Sequence, residues 1–469
     1  NQKREYKLIY IMNENSISRA CSLKMKSYIL MLSENLRCLK EMDNNSFSKQ
    51  SERRKKIMSK KLDPRIPKDS GSKSLTNYAA LCSPWNHLVG YQEAMHWLSR
   101  YNASFSAACM QAYRILMPDY RERAQAMCEA AYQKLYYTMK QYGKPQMAQH
   151  NVHPFCRGSF VGALVGDSGD DALLMCGRVQ DFGTYRAEKE LDVCDWDIVG
   201  SELCRATTQS LEASSRAWSE ELRAGTQLEF HMVEAKGCGD CHCRIVAESR
   251  EKYPMPSHEQ WECFGPIATE DQIKYTKEED MVSESMVFRE ETNYTFANGT
   301  NMEDDSNSVA GLMRRSNAAA GYIFPTISYL LRQGKLDEKT VEHVFHCVCE
   351  AAGKTAFGER TSIEGIRKWM GTPEAVKDGR VMGGYLEMFF QAMGLKYEVE
   401  AFNKEEVQYI VDRNNLTVYN PGMADAYVAY WYGMTKTLVN AQWSLWEIKD
   451  DTPADKLRIR IAKKIDKFC

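Results

Sequence analysis

The sequence predicts an α+β protein built from two tandem, diverged copies of a helix-plus-antiparallel-sheet unit. Two observations carry this. Helical periodicity comes in blocks, each followed by short β-like runs, the segregation that separates α+β chains from alternating α/β ones. Two segments also recur in the same order in both halves. "KELDVCDWDIVGSELCRA" corresponds to "NNLTVYNPGMADAYVAYW", a strand end at Val193 or Val418 followed by a turn and a helix. "LEFHMVEAKGCGDCHCRIV" corresponds to "QWSLWEIKDDTPADKLRIRI", two strands around a turn, with Glu234 matching Glu447 and Arg244-Ile245 matching Arg458-Ile459. Two matches in one order argue for duplication. On this alignment the first copy carries 12 more residues between its strand end and its glutamate.

The elements follow in order. Residues 1–57 show slight helical periodicity and dissolve into Ser, Asn, Lys and Arg, so they read as a poorly ordered N-terminal extension. The natural product is expected to include them or to start afresh at Met58. Residues 58–265 form the first unit. Within it "GYQEAMHWLSRYNASFSAACMQAYRIL" and "DYRERAQAMCEAAYQKLYYTMKQYG" repeat apolar residues at helical spacing. Gly-rich turns then separate β-like runs over 151–193, "DWDIVGSELCRATTQSLEASSRAW" reads as a helix, and "TQLEFHMVEAKG" with "CHCRIVAE" as two strands. Residues 266–316 are polar and irregular, a connector. Residues 317–469 form the second unit, with helices in "SNAAAGYIFPTISYLLRQG", "DEKTVEHVFHCVCEAAGKTAFGE" and "GGYLEMFFQAMG" before the strands "LKYEVEAF", "EVQYIVDRNNLTVYN", "AQWSLWEIK" and "KLRIRIAKK".

Composition narrows the function classes. A chain of 469 residues exceeds one ordinary core, and 43% hydrophobic with 26% charged residues is typical of a globular protein. With 61 basic and 63 acidic residues the net charge is −2, which gives no footprint for nucleic acid or an anionic membrane. No apolar run approaches the roughly 18 residues of a membrane helix. Of the 16 cysteines, eight crowd into 156–263 instead of spacing out as a disulfide framework, and Asn-x-Ser/Thr triplets such as Asn298-Gly299-Thr300 are expected by chance. A reducing cytoplasm is the expected compartment.

The strongest constellation is Cys238-x-x-Cys241-x-Cys243, with Cys194 as a fourth thiol. A tight glycine turn aims thiolates at one point, and Zn²⁺ takes four soft ligands in a tetrahedron. On a strand, Cys241 and Cys243 share a face and His242 points away, which removes His242 as a ligand. Four thiolates would close a structural site, and three would leave a catalytic position open. The competing reading is reduced cysteines packed as small hydrophobes.

Second is "HNVHPFCRGSF". Cys156 beside His153 suits a thiolate nucleophile with its base, and Arg157 suits a substrate carboxylate; the alternative is an ordinary surface loop. His343, His346 and Cys347 share a helical face, a spacing that holds a metal but also one that a core helix shows at its boundary, which is the preferred reading. "GDSGDD" lacks the Gly-Lys-Ser/Thr of a nucleotide loop and reads as a hairpin turn. The Trp- and Tyr-rich segment 427–446 reads as core, with a ring-binding pocket as the sharper alternative.

"VEAKGCGDCHCRIV" and the strand-end cysteine of "CDWDIVGSELCRA" resemble the closing part of the 4-vinyl reductase-type small-molecule-binding domain. The helix "TVEHVFHCVCEAAGKTAFGE" and the overall layout are similar to the L-2-amino-thiazoline-4-carboxylate hydrolase-like proteins. The resemblance covers about 85–260 and, more weakly, 310–465. It departs in the second copy, which has no cysteine cluster. It implies hydrolytic opening of a small C=N-containing heterocycle, thiazoline- or amidine-like, or else non-catalytic capture or sensing of a small molecule around a structural zinc. In the hydrolytic case Cys156 is the expected nucleophile, His153 the base and Arg157 the clamp, with zinc on Cys194, Cys238, Cys241 and Cys243. The expected partners are a small molecule and, optionally, further copies of the chain. Neither nucleic acid nor a membrane is expected.

Overall fold

The computed structural model describes residues 79–138, 178–182, 186–191, 194–222, 228–249, 313, 317–357, 362–418, 420 and 422–464. All lie in the compact unit that runs from Arg65 to Cys469. A short hairpin, β1 (Ala79–Cys82) and β2 (Leu88–Gly90), leads into α1 (Tyr91–Leu116). Burial of Ala94, Leu98, Tyr101, Phe105, Ala108 and Ala112 marks the inward stripe of α1 at helical spacing. Pro118 ends it, and Asp119 caps α2 (Tyr120–Thr138) by accepting from the Glu122 N–H at 2.9 Å.

The first sheet is β3 (Arg178–Phe182), β4 (Arg186–Leu191), β5 (Leu228–Glu234) and β6 (Cys243–Ser249). Between β4 and β5 lie a 3₁₀ turn, Asp195–Ile198, and α3 (Ser201–Leu222). The sequence reads this stretch as one helix, but Gly200 at φ +116° breaks it into two.

A π-turn, Ala319–Ile323, opens the later half and runs into α4 (Phe324–Arg332). Then come α5 (Glu338–Lys354), α6 (Ile363–Trp369) and α7 (Arg380–Ala392). The second sheet is β7 (Tyr397–Phe402), β8 (Glu406–Asp412), β9 (Trp443–Ile448) and β10 (Lys456–Lys463). Between β8 and β9 lie a one-turn helix α8 (Arg413–Thr417) and α9 (Met423–Leu438). The strand end expected at Val418 is instead the left-handed cap of α8, because the Asp412 side chain accepts from the Asn415 N–H and starts a helix there.

Both sheets are antiparallel and share one strand order, β3-β4-β6-β5 and β7-β8-β10-β9. In each, a helix connects the second strand to the third. The registers agree in detail. β4 Lys189 pairs with Ile245 as β8 Tyr409 pairs with Ile459, and the bulge in the first strand falls opposite Lys189/Glu188 and opposite Tyr409/Gln408. Hydrogen bonding thus equates Arg244-Ile245 with Arg458-Ile459, as the sequence does. It equates Leu191 with Val411 and Met232 with Glu447, so Glu234 is not the partner of Glu447. Leu191 to Met232 is 41 positions and Val411 to Glu447 is 36, so the first half is longer by 5 and not by 12. A bulge between Met232 and Glu234 shifts the glutamate by one place.

A single hydrophobic cluster joins α1 to the second half. Phe105 stacks on Tyr427 with ring centroids 4.0 Å apart, and Tyr427 stacks on Trp431 at 5.0 Å. The aromatic segment 427–446 is therefore largely core, with Tyr427, Tyr430, Trp431 and Trp443 buried. Among the described residues, no helix is long and apolar enough to cross a membrane.

Candidate thiol site

The site lies at one end of the first sheet. Cys194 leaves β4 and caps the 3₁₀ turn Asp195–Ile198, while Cys243, the first residue of β6, pairs with Leu191 of β4. Cys204 stands in the first turn of α3, and Cys238 closes a second 3₁₀ turn, Lys236–Cys238, after β5. Four segments therefore each deliver one thiol to the same corner.

Local geometry makes this approach workable. The turn after β5 is tied by N–H donation from Cys238 to the Ala235 carbonyl at 2.8 Å and by the Asp240 carboxylate accepting from the Ala235 N–H at 2.8 Å. Gly239 sits at φ +105°, where a side chain is strained. A Cβ on Gly237 would come within 2.6 Å of the Cys204 sulfur and 3.2 Å of the Gly200 backbone, so only glycine lets the turn reach α3.

The thiols form two hydrogen-bonded pairs of unequal acidity. The bond from Cys204 lowers Cys238 to about 7 against the opposing pull of burial, with the Arg205 charge assisting. The bond from Cys194 lowers Cys243 to about 7, again against burial, helped by the Lys236 N–H at 3.3 Å and the Lys236 charge. Cys204 and Cys194 are pushed up, first by these same bonds and then by burial, and so remain protonated donors. Cys204 feels the charge of Cys238, Cys194 and Cys243 together. Cys238 and Cys243 thus begin to ionise near neutral pH, each hydrogen-bonded by a thiol, with Arg205 and Lys236 as the favouring cations.

Of the four expected ligands, the structure brings Cys194, Cys238 and Cys243 to this corner. Cys241 is exposed, and its carbonyl accepts from Lys236 Nζ at 3.2 Å. Strand alternation does not place it with Cys243, since β6 begins only at Cys243 and Cys241 lies in a bend. His242 is no ligand either, and its Nε2 lies 2.5 Å from a Glu234 carboxylate oxygen. The thiol the sequence reading missed is Cys204. Its one signal is its place in "CDWDIVGSELCRA", on the first helical turn after the glycine that follows Cys194. The thiols stand as pairs; among the described residues no group of three or more His, Cys, Asp or Glu side chains is arranged to hold a metal ion.

His153, Cys156 and Arg157 lie outside the described residues, as does "GDSGDD". His343, His346 and Cys347 lie on the solvent side of α5, with Val341, Phe345 and Cys349 buried on the other side. Cys347 Sγ is 3.8 Å from His343 Nε2, and His346 pairs with Glu350 at 3.7 Å. In the second sheet, the register position of Cys243 is taken by the fully buried Leu457. Compared with family models, curated proteins and solved structures, the chain matches none of them.

Proposed function

We propose that the chain is a small-molecule-binding or sensing protein whose first unit is organised around zinc held by Cys194, Cys204, Cys238 and Cys243. The observation that carries this is the delivery of four thiols, from four separate segments, to one corner of the sheet. The donor chemistry suits the metal, which would have to draw the two thiol pairs into one shell. Zinc takes thiolates in preference to hard ligands, two of these thiols ionise near neutral pH, and a backbone N–H on Cys243 Sγ is the contact a bound thiolate takes. Such an ion would tie β4, α3 and the β5–β6 turn together. Duplication of one ancestral unit is part of this reading. The shared strand order, the matching bulge and the connecting helix in the same place support it, and the second copy has exchanged its thiols for core.

The test is metal content of the full chain purified without oxygen. About one zinc per chain is expected, retained by Cys241→Ser and lost by Cys204→Ser. A metal-free wild type, or zinc lost with Cys241 and kept without Cys204, overturns the assignment.

Hydrolysis of a thiazoline- or amidine-like ring is the second reading. It is supported by the family resemblance and by the closeness in sequence of His153, Cys156 and Arg157. Turnover of a thiazoline carboxylate that survives Cys156→Ala would remove the nucleophile.

A further inference from the structure

A cavity of about 710 Å³ opens at the far end of the second sheet, with no cysteine among the described residues that line it. Its floor is Trp443, pressed against the backbone of Gly379; a Cβ there would come within 2.5 Å of the indole ring. Its walls are the approach to α7 with Lys377 and Asp378, the β7–β8 turn with Lys404 and Glu405, the 440–442 turn, and the end of β10 with Arg460 and Lys463.

The charges lining it are not balanced. Asp378 is committed to Arg380, which donates to both of its oxygens at 2.8 and 2.7 Å. Glu406 is committed to Arg460 at 2.6 Å. That leaves Lys377, Lys404 and Lys463, whose ammonium groups have no ion-pair or hydrogen-bond partner among the described residues. Lys463 lies 5.9 Å from the Trp443 ring centre. Glu405 opposes them, and the Asp378 carboxylate also feels the Lys404 charge. The turns that present these groups are fixed. The Asn403 side chain accepts from the Glu405 and Glu406 N–H groups at 2.9 and 3.0 Å, and the Asn440 side chain accepts from the Gln442 N–H at 3.0 Å. A concavity of this size suits a small ligand, and three ammonium groups on fixed turns, only partly offset by neighbouring carboxylates, suit one with several negative charges.

We infer that this cavity binds a small soluble polyanion bearing phosphate or carboxylate groups, with Lys377, Lys404 and Lys463 as its cations. The site is independent of the thiol corner, and either assignment stands if the other fails.

Calorimetric titration of the full chain with inorganic pyrophosphate and, separately, with citrate tests the inference. One or both should bind at low ionic strength, and affinity should fall steeply as salt rises. Whichever binds identifies the anion class. Lys404→Ala/Lys463→Ala should weaken binding at least about tenfold, since charge-assisted hydrogen bonds are worth that much each. Lys335→Ala/Lys339→Ala, exposed positions around the start of α5, should leave it unchanged. All four positions are exposed, so both variants are expected to keep the wild-type melting temperature. Absence of binding by either anion, or equal loss in the two double variants, overturns it.

Discussion

Two helix pairs occupy equivalent places in the molecule and are packed by opposite means. α2 lies on α3 and α5 lies on α9, each connecting helix covering its sheet. Both α2 and α5 carry the same tetrapeptide, Cys128-Glu129-Ala130-Ala131 and Cys349-Glu350-Ala351-Ala352. The α5–α9 seam is closed by backbone. Gly353 and Gly433 face one another so tightly that a Cβ on either would run into the main chain of the other helix. Tyr430, Trp431 and Met434 fill the surroundings, all buried. The α2–α3 seam is held by charge. Glu202, Arg205, Gln209, Glu212 and Arg216 recur at helical spacing on one face of α3, and Glu202, Gln209 and Glu212 are buried. Arg123 of α2 and Arg114 of α1 both reach Glu202, at 2.9 and 2.8 Å, and Arg205 and Arg216 lie over Tyr120 and Tyr136. The polar seam belongs to the half that carries the thiol corner and the glycine seam to the half that has none at the equivalent register position. One half is built to hold groups in register, the other to fill space.

The sharpest break of this contrast is Glu202. It answers two arginines, one of them buried, so Glu202→Ala leaves Arg123 uncompensated and should cost about 3–5 kcal/mol in urea unfolding. Burial pushes the Glu202 carboxyl up. The hydrogen bonds from Arg114, its own N–H and Arg123 outweigh that and hold it below the usual value of 4.5. A folded pKa below the unfolded one gives stability that is complete above the unfolded value and is lost as pH falls through the folded one. Wild type should therefore lose stability on acidification below the normal carboxylate range, and Glu202→Gln should show a flatter profile there. Equal acid sensitivity in the two would mean that the ion triad is not what holds the seam.

Gly433→Ala probes the other seam. The new methyl meets the Glu350 carbonyl and the Lys354 N–H, both backbone, so neither neighbour can rotate away. A loss of about 3 kcal/mol is expected, at the upper end for an added methyl. Ala206→Ser, at a buried position on α3 in the polar half, should be tolerated better. If Gly433→Ala is harmless, the helices are not in backbone contact.

Smaller in energy but specific to the thiol half is Cys204→Ala. With the hydrogen bond from Cys204 gone, the Cys238 thiolate loses the main cause of its low pKa of about 7. In chelator-treated protein of a Cys241→Ser background, the midpoint of Cys238 alkylation against pH should rise by about one unit or more. An unmoved midpoint would dissolve the Cys204–Cys238 pair, and with it the fourth ligand.

Much of the fold was legible because its signals are periodic. The helical blocks, the two late strand pairs and the recurrence of Arg244-Ile245 at Arg458-Ile459 follow from spacing alone. What escaped was whatever interrupts a period. A bulge interrupts β5 just before Glu234, which pairs with Arg244 as Ile448, and not Glu447, pairs with Arg458. Gly200 split an apparent helix, and Asp412 turned the end of an apparent strand into α8. The thiol corner was half legible for a related reason. Cys238 and Cys243 announce themselves by closeness in sequence, whereas Cys204 joins them only because Gly237 lets two distant turns touch. Cys241, near in sequence, is placed elsewhere by the same turn.

The least costly comparison concerns what the two seams share. Asp119 starts α2 and Asp337 starts α5, each side chain accepting from the N–H three residues on, at 2.9 Å in both cases. The carboxylate satisfies an N–H that the helix leaves open and sits at the positive end of the helix dipole. Hydrogen bonds from Thr340 hold the Asp337 carboxyl below its usual value, so its contribution is present at neutral pH and lost as pH falls through that lowered pKa. Asp119→Ala should cost about 1 kcal/mol in urea unfolding, and Asp337→Ala should destabilise in the same direction. The double variant should show the sum of the two losses, because the caps serve different helix pairs. A double loss well above that sum would mean the two seams open together, and the division between a charged half and a glycine-packed half would then not be energetic.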